Sequence, residues 1–307
     1  MELLSGLESL PEPRMRSPIV TWGVFDGVHR GHRRVIEQVL SWARADGVSS
    51  AVVTFDRHPE EVLRNREVPL VTPLGERLRL IGALGVDFCV MLNFTIEFSK
   101  TSAEEFIRGI VAGRMAAKGI VLGHDSRFGR DRTGDLDFLT RLGRDVGLEV
   151  RHSDPEIFNG RPVSSSLIRE VIFAGRLEEA TFLLGRPPSV IGTVVRGERR
   201  GTKLGFPTAN LELHHAVRPP PGVYAAEVPL EGRVYRAVVN IGTRPTFQQT
   251  GAETIEAHLL DYAGGDLYGR VVEVRFIARI RDEKKFDGPD ALKRQITADI
   301  DVARRGV

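Results

Sequence analysis

The stretch Gly23-Val24-Phe25-Asp26-Gly27-Val28-His29-Arg30-Gly31-His32 decides how the first half of this chain reads. Ahead of it lies Ile19-Val20-Thr21-Trp22, apolar and β-branched, which predicts a buried strand over residues 19–25. Behind it Val35, Ile36, Val39, Leu40 and Ala43 recur at helical spacing and predict a helix over 31–45. Two histidines, three residues apart with glycine between them, therefore stand at a strand-to-helix turn. A helix N-terminus presents unpaired N–H groups and the positive end of the helix dipole, which suits phosphate. Gly31 lets backbone and phosphate approach closely, and both imidazoles can donate to the same oxygens. Two glycines at a helix start are costly unless the site needs them. A metal site would ask for a nearby Glu or a further His in a metalloprotease arrangement, which this stretch lacks.

Outward from the turn, strand-like and helix-like segments alternate. Strands are predicted at 19–25, 51–55, 86–92, 119–122 and 148–152, with helices at 31–45, 74–84, 103–118 and 135–146. Repeated βα units of this kind predict a doubly wound parallel sheet with helices on both faces. Ligands of such sheets bind beyond the carboxyl ends of the strands, where both 23–32 and 123–129 fall.

The pattern changes near residue 185. A helix opens within 163–169 and a short one covers 177–184, after which Gly185-Arg186-Pro187-Pro188 interrupts the chain. We accordingly expect one domain over 1–185 and a second over 186–307. In the second, short β-branched runs at 189–195, 209–213, 222–228, 234–241, 254–260 and 271–280 are separated by Gly and Pro turns. One helix, 289–304, follows with Pro289 in its first turn. Six strands and a closing helix predict a small antiparallel β-barrel with a C-terminal helix.

Composition narrows the classes. Lys and Arg number 43 against 41 Asp and Glu, and the balance, net +2, argues against a nucleic-acid binder with its concentrated basic face. No apolar run approaches the ~20 residues that span a bilayer. The single cysteine, Cys89, sits in the apolar run 86–92, where a buried inert thiol is expected. A soluble cytoplasmic protein is the expectation.

Two further elements carry chemistry. Val163-Ser164-Ser165-Ser166-Leu167-Ile168-Arg169 places hydroxyls at a helix start and an arginine one turn in, a set that can hold a triphosphate as pyrophosphate leaves. In the second half, the glycine-rich stretch 192–205 with Lys203 is no P-loop, yet it can bend over phosphates. Thr208 and Asn210 alternate onto one face of the strand that follows and offer neutral oxygens to Mg²⁺. Thr254, Glu256 and His258 share the polar face of another strand; a kinase acting on an alcohol needs such a carboxylate.

With these residues the chain resembles the prokaryotic bifunctional riboflavin kinase/FMN adenylyltransferase (FAD synthetase) family. The histidine turn and the Ser-Ser-Ser-x-x-Arg element look like its adenylyltransferase module, as do Thr54-Phe55-Asp56-Arg57-His58-Pro59 and Gly123-His124-Asp125-Ser126-Arg127-Phe128-Gly129. Leu204-Gly205-Phe206-Pro207-Thr208-Ala209-Asn210-Leu211, Asn240-Ile241-Gly242-Thr243-Arg244-Pro245-Thr246-Phe247 and Glu256-Ala257-His258-Leu259-Leu260-Asp261 look like its kinase module. The resemblance implies phosphorylation of riboflavin to FMN by the C-terminal barrel, then transfer of AMP from ATP to FMN by the N-terminal nucleotidyltransferase domain. It implies that His29, His32, Ser165 and Arg169 serve adenylyl transfer, with Gly23, Phe25, Asp26, Gly27, Gly31, Asp125 and Ser166 binding nucleotide. In the barrel it implies nucleotide binding by Lys203, Gly205, Pro207, Thr208 and Asn210, with Mg²⁺ at Thr208 and Asn210 and Glu256 as the kinase base. His58, Phe128 and Phe206 are implied on the flavin sides. Asp125 stands where the family often has Asn, Ser126 where it has an aromatic, and Ser166 where it often has Thr. Riboflavin, FMN and ATP are then the partners, with Mg²⁺ as cofactor, no nucleic acid and no membrane; a weak homo-oligomer is left open. The alternatives are a synthetase-like adenylyltransferase, which lacks a Lys-Met-Ser-Lys-Ser-like loop here, and a monofunctional adenylyltransferase whose barrel binds RNA or another ligand.

Overall fold

The computed structural model describes residues 1–9, 15–197, 201, 204–215, 217–243 and 253–306. They divide into two compact units, Met1–Val68 with Leu74–Ser164, and Pro69–Pro73 with Ser165–Val307.

The first unit holds six parallel strands: β1 (Glu2–Ser5), β2 (Ile19–Trp22), β3 (Ser50–Phe55), β4 (Phe88–Leu92), β5 (Gly119–Gly123) and β6 (Glu149–Ser153), in the order β1-β4-β3-β2-β5-β6. From β2 the chain moves outward through β3 and β4, then returns to the other side of β2 with β5 and β6. The order reverses between β2 and β5, so the connections leaving these two strands diverge and open a crevice at their carboxyl ends. The strands alternate between two covered faces. Val20, Trp22, Ala51, Val53, Ile120 and Leu122 pack on one side against a segment that begins as α5 (Ala103–Glu105) and continues as the π-helical Phe106–Arg114. Ile19, Val52 and Val121 face the other side, covered by α1 (Arg30–Asp46) and α3 (Leu74–Ala83) through Ile36, Val39, Leu40, Leu80 and Ile81. Short helices α2 (Pro59–Arg64) and α4 (Ile96–Ser99) follow β3 and β4, and α6 (Leu136–Val146) precedes β6. Strand β1 escapes the sequence pattern because it is a short edge strand with one buried side chain, Leu4. The strand expected over 19–25 stops at Trp22, since Phe25 takes a left-handed φ of 54°. A two-stranded ribbon, β7 (Ile157–Phe158) and β8 (Arg161–Pro162), closes the unit.

The second unit begins with α7 (Ser165–Phe173) and α8 (Leu177–Leu184). The second compact unit thus includes α7 and α8, and Leu177 at the start of α8 joins the apolar core cluster of the barrel that follows. The barrel comprises β9 (Ser189–Val195), β10 (Ala209–Leu213), β11 (Gly222–Leu230), β12 (Arg233–Thr243), β13 (Glu253–Leu259) and β14 (Val271–Arg281), all antiparallel. It closes in the order β10-β13-β12-β11-β14-β9 because β9 pairs with both β14 and β10, leaving no free edge. Its interior is filled by Val190, Leu211, Tyr224, Val228, Val239, Ile255, Val274 and Phe276. Strand β11 is apolar on both faces because Val223 and Ala225 point outward, beneath Ile300 and Ala303 of α9 (Pro289–Arg305). Arg281 of β14 fastens that helix through Asp299, which is 2% exposed; the closest contact is 2.8 Å.

Candidate functional sites

At the first site the predicted turn is a strained, buried loop. Phe25 and Val28 adopt φ of 54° and 41°, between them Gly27 adopts 86°, and the Val28 N–H donates to the Phe25 carbonyl. Left-handed backbone at a phenylalanine and a β-branched residue costs about 1–3 kcal/mol each and persists only where the surroundings over-determine it. Those surroundings are visible. The Gly23 N–H donates to the Val53 carbonyl at 3.0 Å. The Val24 carbonyl accepts from the wholly buried Thr54 hydroxyl at 3.2 Å and from the Arg77 guanidinium at 3.0 Å. Asp26 is 1% exposed and lends its negative charge to Arg77.

The turn ends on His29, the N-cap of α1. Its Nδ1 accepts the backbone N–H of His32 at 3.3 Å, so in the neutral ring the proton sits on Nε2. The two imidazoles stack with centroids 3.5 Å apart, and Phe25 meets His32 edge-on at 5.2 Å. Burial, joined by the Arg77 charge, pushes the His32 pKa down to about 3, and its Nδ1 is buried without a hydrogen-bond partner. His32 is therefore neutral at physiological pH, beside a helix dipole worth roughly half a positive charge. A Cβ on Gly31 would lie 3.2 Å from both the His29 ring and the Val163 carbonyl, so only hydrogen fits without displacing one of them. Gly23, by contrast, would bring a Cβ 3.3 Å from the Phe25 ring.

The other expected residues of this unit distribute unevenly. His58 is the N-cap of α2, accepting the Glu60 N–H at 3.2 Å within a capping box closed by Glu61. Asp125 lies in the exposed turn after β5, 3.7 Å from His124. Phe128, expected on a flavin side, is 7% exposed; its ring meets Trp22 edge-on at 5.0 Å and belongs to the apolar core under the loop. The aromatic cluster at the strand ends joins Phe55, part of the motif 54–59, to Phe94 and Phe98, which no sequence pattern singled out. Phe55, Phe94 and Phe98 are half-buried and meet one another at 5.3–6.1 Å. In the second unit, Ser165 and Ser166 open α7 with Ser166 exposed, while Arg169 donates from Nε to the Pro69 carbonyl at 2.6 Å.

The barrel site is built by register. Asn210 of β10 pairs across from Glu256 of β13, and Glu256 pairs on its other side with Asn240 of β12. Because side chains alternate, all three point outward while Leu211, Ile255 and Ile241 fill the core. Thr208, just ahead of β10, donates from Oγ1 to Glu256 at 3.3 Å. The result is a polar row of one carboxylate, two amides and a hydroxyl across three strands. Asn240 is the member that sequence reading missed; only the strand register reveals it. Glycines give the row room: a Cβ on Gly197 would stand 2.3 Å from the Asn210 amide, and one on Gly242 would stand 2.5 Å from the Glu283 carboxylate and 3.0 Å from the Asn240 amide.

One residue pair along, His258 donates from Nδ1 to the Pro207 carbonyl at 2.7 Å and meets Phe206 edge-on at 5.8 Å. Gly205, with φ of 89°, permits the turn that presents Phe206. Phe206, His258 and Leu260 form one wall of a groove whose other wall is Thr297, Ile300 and Asp301 of α9. Lys203 and the motif residues Arg244-Pro245-Thr246-Phe247 lie outside the described residues. Among the described residues no group of three or more His, Cys, Asp or Glu gathers as a metal site, and no helix is long and apolar enough to cross a membrane.

Comparison with known proteins matches both halves separately. The sequence model of the FAD synthetase family matches residues 12–167, and that of riboflavin kinase matches residues 184–307. The bifunctional riboflavin kinase/FMN adenylyltransferase of Pseudomonas fluorescens is 37% identical over 304 residues, covering 99% of this chain and 97% of its own length. The protein of the same name from Escherichia coli K12 is 36% identical over 311 residues, again covering 99% and 97%. Among solved structures, a macrolide-efflux protein from Streptococcus pneumoniae superposes with a TM-score of 0.88 at 32% identity, covering 99% of both chains.

Proposed function

Since the chain belongs to the bifunctional riboflavin kinase/FMN adenylyltransferase family, we propose that it converts riboflavin to FAD in two ATP-dependent steps. The observation that carries this reading is that each family match contains a site suited to that family's chemistry: the histidine turn within 12–167 and the Glu256 row within 184–307. Functionally we take residues 1–185 as the adenylyltransferase and 186–307 as the kinase, acting in the cytoplasm on riboflavin, FMN and ATP.

In the kinase, Glu256 orients the ribityl 5′-hydroxyl and accepts its proton as the hydroxyl attacks the γ-phosphorus of ATP. Thr208 holds Glu256 by a 3.3 Å hydrogen bond, and Asn240 is its register partner on β12. Two neutral oxygens beside one carboxylate suit Mg²⁺, which keeps several waters and binds largely through substrate phosphates. Thr208 and Asn210 would hold it, and bound there it supplies charge neutralisation to the phosphates. Gly205, Pro207 and Lys203 bind the nucleotide, while Phe206 offers the flavin ring a wall in the groove beside α9.

In the adenylyltransferase, an FMN phosphate oxygen attacks the α-phosphorus in line and pyrophosphate departs, so positioning and charge stabilisation do the work. His29 donates through Nε2 to a phosphate oxygen, and His32 stacks behind it at 3.5 Å. By the family resemblance, Ser165 and Ser166 hydrogen-bond phosphate oxygens and Arg169 offsets their charge; Gly23, Phe25, Asp26, Gly27 and Gly31 shape the histidine turn, and Asp125 contacts nucleotide. His58 and the Phe55–Phe94–Phe98 surface receive the flavin, and Phe128 braces that surface from within the core.

The test is to incubate the purified protein with riboflavin, ATP and Mg²⁺ and to separate the flavins by chromatography. FMN should appear first and FAD after it. Failure to form FMN removes the kinase reading, and failure to form FAD from supplied FMN removes the other.

A further inference from the structure

Arg77 is the largest fully buried side chain among the described residues, 2% exposed, and the histidine motif does not include it. It stands on α3 and reaches under the carboxyl ends of two neighbouring strands. One Nη donates to the Val24 carbonyl at 3.0 Å, just beyond β2, and the other to the carbonyl of Phe55, the last residue of β3. Its Nε is buried with no partner, a cost that a stability-driven core would avoid. Burial draws its pKa down, but Asp26, Cys89, Asp56 and Glu61 oppose the fall, and a guanidinium stays charged throughout.

We propose that Arg77 is a positioning residue for adenylyl transfer, clamping the two strand ends so that the 23–32 turn keeps the strained form that presents His29 and His32 to phosphate. This rests on the reading of that turn as the ATP site. The Val24 carbonyl is the anchor, because the left-handed Phe25 follows it directly and nothing local to the sequence compels that conformation. The bidentate reach is also specific to Arg: a lysine ammonium is a point charge that cannot span both carbonyls in the same way. After burial itself, the guanidinium charge additionally disfavours protonation of His32.

A merely structural Arg77 would lose stability and activity together, whereas a positioning Arg77 separates them. Replacing Arg77 by an apolar side chain leaves Asp26, 1% exposed, without its counter-charge and costs stability, so activity is compared with the folded fraction. Arg77→Met is therefore expected to melt below wild type yet to keep the wild-type tryptophan emission at low temperature, where its activity is read per folded molecule. Both tryptophans, Trp22 and Trp42, lie in this unit and report its folding. Its kcat for FAD formation from FMN, ATP and Mg²⁺ should nevertheless fall about 100-fold, the loss that follows from misplacing reacting groups by roughly 1 Å. Phosphorylation of riboflavin by the same preparation should not change. Arg77→Lys should stay folded and lose about 10-fold in kcat, since charge survives but the bridge does not. The idea is overturned if FAD formation falls only in step with the folded fraction, or if Arg77→Lys works at the wild-type rate. Absence of FAD formation by the wild-type protein would instead remove the underlying assignment of the turn.

Discussion

The two sites are assembled in opposite ways. The histidine turn is written in ten consecutive residues, and its geometry follows from a strand ending, a left-handed turn and a helix beginning. The polar row of the barrel has no such continuity. Thr208, Asn210, Asn240 and Glu256 come from three strands and meet because β10, β13 and β12 pair in one register. A one-residue slip of β13 would turn Glu256 into the core and bring Ile255 or Ala257 out. A local site thus depends on a few backbone angles and their clamps, while a register-built site depends on the whole sheet. The lesson is that substitutions should fail differently in the two places.

The sharpest way to break the comparison is Glu256→Gln. Riboflavin phosphorylation should fall by about 1,000-fold or more, within the range for removal of a general base, while adenylylation of supplied FMN continues. Unimpaired kinase turnover would send the search to another base. Next in size is His32→Ala, expected to lower FAD formation roughly 100-fold without affecting FMN formation, as for loss of a positioned charge-stabilising group. Near-normal FAD synthesis by that variant would refute the turn as the reacting site.

Asn240→Ala sharpens the comparison further, because that residue is a member of the row by register alone. It should lower kcat for riboflavin phosphorylation by about 10-fold and change KM for ATP little, as expected of a group that supports the base. A loss as large as that of Glu256→Gln would mean the row acts as one unit. An unchanged kcat would remove Asn240 from it.

The smallest effect concerns pH. His32 is held near a pKa of about 3 in the folded unit, below the ordinary 6.5, so the unfolded chain binds its proton first on acidification. The contribution of neutral His32 to stability is complete above pH 6.5 and is lost progressively as pH falls towards about 3. Thermal unfolding followed by tryptophan emission should show the first unit melting a few degrees lower at pH 5 than at pH 7, with the difference reduced in His32→Phe. An equal pH effect in that variant would place its source elsewhere.

How much of this was legible beforehand depends on the range of the forces involved. Continuous apolar runs located β2 to β5, which are mostly buried, and the βα alternation located the largely exposed edge strand β6; β1 went unseen because its single buried leucine carries no pattern. The six barrel strands were legible by their β-branched runs, and Glu256 by its place on a polar face. The aromatic cluster that Phe94 and Phe98 form with Phe55 was not, because apolar residues at strand ends look the same whether they fill a core or border a ligand. Phe128 shows the converse: a motif aromatic that packs the core.

By itself, then, the sequence determined the two architectures, the histidine turn at a helix N-terminus, and the residue types that each chemistry requires. Those properties follow from periodicity, from glycine and proline, and from side chains adjacent along the chain. Tertiary structure alone decided that Asn240 stands beside Glu256, that α7 and α8 join the second unit, and that a buried arginine fifty residues downstream clamps the turn. Each of these depends on strand register or on packing between distant segments. Such choices are made by the burial of whole faces rather than by any local run of residues.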